Sequence, residues 1–256
     1  MITIGPFAIR LYGILIGLGI LVGFWVAARM ARAFSVQRLA SSVSGSDVWD
    51  ALWWVAVPAV VGARLYHVVD LWGYYRANFV LIPAVWTGGL GIFGAIFGGV
   101  LGLWLFSRRK GIDFFRLADL AAFGLPVAQA IGRWGNFFNK ELYGRPTDLP
   151  WGLSIPPENR LPQVATEQFF HPLFLYESLY SVFVFGVLLL IWRMKGATLA
   201  TGSYFFVYLM LYGVGRFFLE GLRIDPWVIG GINAAQAVSF ASVMVGVFFL
   251  YSKNRK

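Results

Sequence analysis

The sequence predicts an all-α integral membrane protein of seven transmembrane helices, N-out and C-in, with a small extracytoplasmic cap between helices 4 and 5. Three observations carry that prediction. Of 256 residues, 59% are hydrophobic and 13% charged, with a mean hydropathy of +0.69, more apolar surface than a soluble domain of this length hides. The apolar residues form segments long enough for helices to cross a ~30 Å hydrocarbon core, which takes roughly 20 residues. Basic residues gather at alternate ends of those segments, the pattern that sets orientation.

In chain order the spans are expected at about 8–29, 48–70, 84–106, 117–136, 172–193, 203–222 and 233–252. Met1–Pro6 has no basic region and no small-residue cleavage site follows, so the first span reads as a retained anchor. The fourth is the least regular, interrupted by Pro126 and Gln129 and ending near Arg133. Between spans 4 and 5, residues 137–171 contain Pro146, Pro150, Pro156, Pro157 and Pro162, which exclude a regular helix. That stretch also carries Glu141, Asp148, Glu158 and Glu167 against Lys140, Arg145 and Arg160, and reads as the cap. Residues 1–256 are thus expected to be a single transmembrane domain, with the cap region 137–171 inside it.

The expected cytoplasmic ends hold Arg29, Arg32 and Arg38, then Arg108, Arg109, Lys110 and Arg116, then Arg193 and Lys195, and finally Lys253, Arg255 and Lys256. The formal charge of +9 is then mainly a topology signal, with the clusters resting against anionic headgroups. Nucleic-acid binding has no support. The chain has no cysteine and only His67 and His171, which excludes a cysteine nucleophile, disulfides and a thiolate or histidine-rich metal site. No Walker, H-E-x-x-H or G-x-S-x-G motif is present, and no duplicated half of the kind many transporters carry.

Charges at membrane depth are more telling, because each costs several kcal/mol unless it is paired or lines a polar cavity. They occur at Arg64 in "GARLYH", at Arg133 in "GRWGNFFNKELYG", at Glu177 after "HPLFLY", and at Arg216, Glu220 and Arg223 in "GRFFLEGLR". Spacings of four and three place the last three on one helical face. A purely structural reading pairs Glu220 with Arg216 or Arg223, and Glu141 with Arg133, to fix helix register. Taken together, however, the arginines exceed the carboxylates at that depth, and an unpaired arginine calls for an anion such as phosphate. Asn136 and Asn139 add neutral donors and acceptors suited to hydroxyls or ester carbonyls. Gly132, Gly135, Gly144 and the run "GGLGIFGAIFGG" permit close approach of a ligand or of another helix, and helix packing is the preferred reading for the glycines alone.

"GRWGNFFNKELYG" closely resembles the signature of the bacterial prolipoprotein diacylglyceryl transferases. The resemblance continues in "RLYG" at Arg10–Gly13, "GARL", "HPLFLYE", "YGVGRFFLEGLR", and Gln236 and Ser239 of the last span, so it runs in order along nearly the whole chain. It implies transfer of the diacylglyceryl group of phosphatidylglycerol to the lipobox cysteine thiol of a preprolipoprotein, with glycerol phosphate released. The two membrane-bound substrates are then the partners, no cofactor is needed, and the location is the bacterial inner membrane with the active site on the extracytoplasmic side. By the same resemblance Arg133 and Arg216, together with Tyr12 and Glu141, are catalytic candidates. Substrate-binding candidates are Arg133, Asn136, Asn139, Gly144, Arg64, Glu220, Arg223, His171 and Glu177, although His171 alone reads more simply as a helix-start residue.

The chain departs from the family at three positions. Gly91 and Phe93 stand where serine and then histidine or tyrosine are usual, and Phe174 where glutamine is usual. Phenylalanine accepts no proton, so a mechanism with its general base there fails in this chain. Thiol activation would fall to Tyr12, Glu141 or the positive field. Two other classes follow from the same residues: a catalytically altered relative that binds phosphatidylglycerol or signal peptides, favoured by Phe93, and a lipid or anionic-solute transporter, opposed by the missing repeat.

Overall fold

The computed structural model describes residues 2–4, 7–9, 11–36 and 43–253, so Arg10, Arg38, Arg255 and Lys256 lie outside the described residues. The chain forms two compact units, one of residues 1–30 and 119–256, the other of residues 31–118.

In the 31–118 unit, α2 (Gly45–Asp70) packs along α4 (Ile92–Lys110). A capping box starts α2: Asp47 donates its N–H to Ser44 Oγ at 3.1 Å, and the Ser44 N–H reaches the Asp47 carboxylate at 3.0 Å. Lys110, at the end of α4, ties back to Asp47 at 3.0 Å and Asp50 at 2.9 Å. The two helices touch through glycines. Side chains at Gly94, Gly98 and Gly102 would collide with the backbone of Gly62, Pro58 and Trp54, so the four-residue spacing is a helix contact. This fulfils the packing reading of the glycine-rich run and extends it to Gly102.

Between α2 and α4 the chain makes the short helix α3 (Trp72–Tyr75) and a loop that Arg64 clamps. Arg64, 4% exposed, donates Nε to Ile82 O at 2.8 Å, Nη1 to Gly88 O at 2.6 Å and Gly89 O at 3.1 Å, and Nη2 to Leu81 O at 2.5 Å. Its guanidinium also lies 5.2 Å from the Tyr75 ring centre.

The other unit holds the first part of α1 (Leu11–Val36), most of α5 (Phe114–Asn139), and α6 (Leu173–Lys195), α7 (Ser203–Glu220) and α8 (Ala234–Lys253). α5 runs unbroken through Pro126, and Gln129 is satisfied by donating to Tyr208 Oη at 2.9 Å. Gly19 and Gly23 of α1 meet the backbone of Ala128 and Gly124 on α5, where a Cβ would come within 2.8 and 2.9 Å of a carbonyl. On α6, Ser178 donates to Ala130 O at 2.9 Å. α7 begins on a borrowed cap: buried Asp119 of α5 accepts from the N–H groups of Gly202 at 2.7 Å and Phe205 at 2.9 Å. α7 and α8 close on a stacked Phe206–Phe249 pair, centroids 3.8 Å apart.

Among the described residues, six helices, α1, α2, α4, α5, α6 and α8, are long and apolar enough to cross a membrane. α7 falls short of that measure because Arg216, Glu220 and three tyrosines interrupt its 18 residues. Large apolar side chains such as Trp53, Phe97, Leu179 and Phe248 are exposed, as lipid-facing residues must be. The chain is therefore a mostly helical, multi-pass membrane protein.

The segment between α5 and α6 has no long helix. A two-stranded pair, β1 (Leu153–Ser154) against β2 (Phe169–Phe170), covers a small core of Tyr143, Ile155 and Phe170. Tyr143 holds this core to the loop above it, donating to Asn159 O at 3.0 Å and accepting from the Leu161 N–H at 2.6 Å.

Candidate active site

The C-terminal ends of α5 and α7 meet the N-terminal end of α6, and the charged residues of those ends converge. Arg133 Nε lies 2.7 Å from Glu177 Oε2, and Arg216 Nη1 3.2 Å from Glu177 Oε1. Arg216 Nη2 pairs with Glu220 Oε2 at 2.5 Å, and Arg223 Nε approaches the same oxygen at 3.4 Å. Three arginines thus share two carboxylates. Glu220 is 2% exposed, and the side chains of Arg133 and Arg216 are 26% and 18% exposed. Burial, and after it the charge of Arg216, lowers the pKa of Arg223 from its ordinary value, against the opposing pull of Glu220 and Glu177.

The partner of Arg133 is a correction. The purely structural reading paired it with Glu141, but Glu177 takes that place, because α6 brings its first turns against α5 whereas Glu141 lies beyond the helix end. α5 stops in a Schellman motif: the Lys140 N–H donates to Phe137 O at 3.2 Å and the Glu141 N–H to Asn136 O at 3.1 Å, with Lys140 left-handed at φ 55°. This fold-back sets Glu141 Oε1 against Asn136 Nδ2 at 3.1 Å and Asn139 Nδ2 at 3.3 Å. The two asparagines and the glutamate of the motif are therefore one hydrogen-bonded group, with Asn136 buried and Glu141 exposed.

Glycines in the motif serve close approach. A Cβ on Gly135 would fall 2.6 Å from Tyr12 Cδ2, so its absence lets the Tyr12 ring lie on α5, within electrostatic reach of Glu141 and Arg133. At Gly144 a Cβ would lie 2.8 Å from His171 Cβ and 3.1 Å from Leu222 O. Gly144 forms a bridge with Arg223 and donates its N–H to His171 O at 2.9 Å, so three chain segments cross at this one residue. The sixth span was expected at about 203–222, with Arg216, Glu220 and Arg223 on one helical face, yet α7 ends at Glu220. Arg223 sits in the following turn, held by the Gly144 bridge and by its own N–H to Glu220 O at 3.1 Å.

His171 precedes α6, its Nδ1 3.2 Å from Tyr176 Oη, which also accepts from Trp151 Nε1 at 2.8 Å. Arg64 belongs to the 31–118 unit and holds the loop described above. Sequence reasoning did not single out the small polar cavity beside the arginines, lined by Gln129, Tyr180, Ser181, Tyr212 and Gly215 with Arg133, Glu177 and Arg216. One signal was available: Gly215 precedes Arg216, and the Tyr180 ring occupies the space where its side chain would be.

The three unusual positions have packing explanations. Phe174 is buried among Trp134 and Phe137 of the motif, at ring separations of 5.3 and 4.9 Å. The Tyr66 ring fills the space a side chain at Gly91 would need, and lies 5.9 Å from the Phe93 ring, which is 47% exposed.

Fold and site together define a class: multi-pass α-helical membrane proteins whose polar chemistry is gathered at helix ends around clustered, partly buried arginines. Within that class, the chain belongs to the prolipoprotein diacylglyceryl transferase family, whose profile matches residues 1–252. Proteins of the same name, phosphatidylglycerol–prolipoprotein diacylglyceryl transferase, are similar along their length. That of Gloeobacter violaceus is 43% identical over 258 residues, covering 100% of this chain and 93% of the relative. That of Trichormus variabilis is 40% identical, covering 100% and 90%, and that of Fervidobacterium nodosum 41% identical, covering 95% and 80%.

Proposed function

We infer that the chain catalyses the reaction its relatives are named for, transfer of the diacylglyceryl group of phosphatidylglycerol to the lipobox cysteine of a preprolipoprotein. In this reaction the cysteine sulfur forms a bond to the glyceryl carbon as that carbon's bond to the phosphate oxygen breaks. The thiol proton is lost and the electron pair leaves with glycerol phosphate.

The observation that carries the reading onto these residues is the surplus of Arg133, Arg216 and Arg223 over Glu177 and Glu220. Charge develops on the departing phosphate, and fixed guanidinium groups in a poorly hydrated site stabilise it most where it is greatest. Glu177, touching two arginines at once, orients both before substrate arrives. Asn136 and Asn139, arranged by Glu141, supply contacts to glycerol hydroxyls or ester carbonyls. Tyr12 and Glu141 are the groups placed to assist loss of the thiol proton, since Phe93 has no proton acceptor. Gly144 and His171 shape the segment crossing that holds Arg223, and Arg64 fixes the loop of its own unit.

In this reading α7 is a seventh span, its charges neutralised inside the protein, and the single transmembrane domain lies N-out and C-in in the inner membrane. The segment 137–171 is then the extracytoplasmic cap and the active site faces that side. Complementation of a strain depleted of its own diacylglyceryl transferase tests the activity: growth is expected, and failure of a well-expressed chain to rescue overturns it. A cysteine placed at Ser252 is expected to react with an impermeant thiol reagent only in opened cells, and one at Asp148 in cells with a permeabilised outer barrier. The reverse order would overturn the topology.

A further inference from the structure

The cap carries an open groove of about 520 Å³, whose walls include Lys140, Leu142, Glu158, Leu161, Arg223 and Asp225. None of its residues lines the small polar cavity among the helices. Arg223 nevertheless joins the groove to the arginine cluster, since its Nε faces Glu220.

Three features of the groove point to one kind of occupant. Its charges balance, with Lys140, Arg160 and Arg223 against Glu141, Glu158 and Asp225, and Leu142, Tyr143, Leu161 and Ile224 lie between them. A passage for a lone anion such as glycerol phosphate calls for walls of one sign. Second, several of these charges are available: Glu158 and Asp225 are exposed and have no hydrogen-bond or ion-pair partner among the described residues, and Lys140 only covers the Phe137 ring at 4.3 Å. Arg160, by contrast, is engaged within the cap, and Glu141 by the asparagines at the end of α5. Third, Leu142 is 45% exposed and left-handed at φ 55°, a conformation unfavourable for a bulky residue. Such strain persists where the surroundings enforce it, and it clusters at ligand sites.

We propose that the groove receives the stretch of preprolipoprotein that follows the lipobox cysteine, bound as an extended chain. The proposal rests on the transferase reading, in which the cysteine sits at the arginine cluster and the signal segment before it lies in the membrane. The polypeptide beyond the cysteine then continues toward the cap, and Arg223 marks the point of passage. An extended chain advances roughly 3.3–3.6 Å per residue with side chains to alternate sides, which suits walls that mix apolar and charged groups.

Two labelled peptides with the same lipobox test this, one ending at the cysteine position and one continuing past it, with serine replacing cysteine for the binding measurement. With the detergent-solubilised full chain, fluorescence anisotropy is expected to show the longer peptide binding about tenfold more tightly. Glu158→Ala combined with Asp225→Ala is expected to bring that ratio close to one, and to leave the KM for phosphatidylglycerol where it was. With the cysteine restored, the same advantage is expected in the peptide KM and not in kcat. Equal binding of the two peptides to the wild type, or a ratio that survives the double variant, overturns the groove proposal even if transfer proceeds. A normal ratio without any transfer supports the groove and counts against the transferase reading alone.

Discussion

Arg64 and Arg216 are both arginines withdrawn from water on long helices, yet their surroundings differ in kind. Arg64 is 4% exposed and directs four hydrogen bonds to backbone carbonyls, neutral groups that satisfy its donors and leave it no call for an anion. Arg216, with a side chain 18% exposed, sits among carboxylates it must share with Arg133 and Arg223. On the proposed reading, the difference separates an arginine that shapes the protein from arginines kept for a substrate. Burial does not distinguish the two; the account of donors against acceptors does.

The sharpest way to break this distinction is to remove one arginine from each environment. Arg133→Ala and Arg216→Ala are each expected to lower transfer by roughly thirty- to a thousandfold, equivalent to about 2–4 kcal/mol of transition-state stabilisation, in a protein that still folds and inserts. Normal turnover in either variant, measured with a lipobox peptide and phosphatidylglycerol, would sink the phosphate role. Arg64→Ala should do the opposite, lowering stability by about 3 kcal/mol because buried carbonyls lose a charged donor. Arg64→Lys should not restore it, since an ammonium cannot reproduce a planar fork. A stable, correctly inserted Arg64→Ala with impaired turnover would erase the contrast.

Smaller effects sharpen the comparison of the two units. Gly98→Leu, in the α2–α4 contact, is expected to cost about 1–3 kcal/mol by overpacking, read as a lower thermal midpoint in detergent. Smallest is Lys140→Gly. A glycine adopts the left-handed end of α5 without penalty, so stability should rise by up to about 1 kcal/mol while transfer persists. A drop in stability would mean that the Lys140 contact with Phe137 outweighs the backbone strain.

Much of the helical framework was legible because it depends on local properties. Length, apolarity and the position of charges placed a helix in each expected span among the described residues, but the ends moved: α1 ran to Val36 instead of about 29, α4 began at Ile92 instead of about 84, the Schellman turn at Lys140 carried α5 to Asn139, and α7 stopped at Glu220. The arginine surplus was legible too, since it is a count. Which carboxylate served which arginine was not. Glu141 lies eight residues from Arg133 and Glu177 far beyond it, but helix packing brings the distant residue closer. The same reason hid the Gln129–Tyr208 hydrogen bond, the Tyr180 ring against Gly215 and the groove of the cap, all products of segments remote in sequence.

The carboxylate of Asp119, at the start of α7, has a consequence for biogenesis. If α7 is the seventh span, as proposed, it is a weakly apolar one, and alone it would partition poorly from the insertion machinery into lipid. What compensates it is supplied by helices made earlier: Asp119 of α5 receives its first N–H groups, and Glu177 of α6 meets Arg216 near its other end. Both donors of that support leave the ribosome before α7 does. Insertion of α7 should therefore depend on its predecessors, and a reporter fused after α7 should show less efficient membrane integration when Asp119 is replaced by leucine than when a lipid-facing residue such as Leu179 is altered.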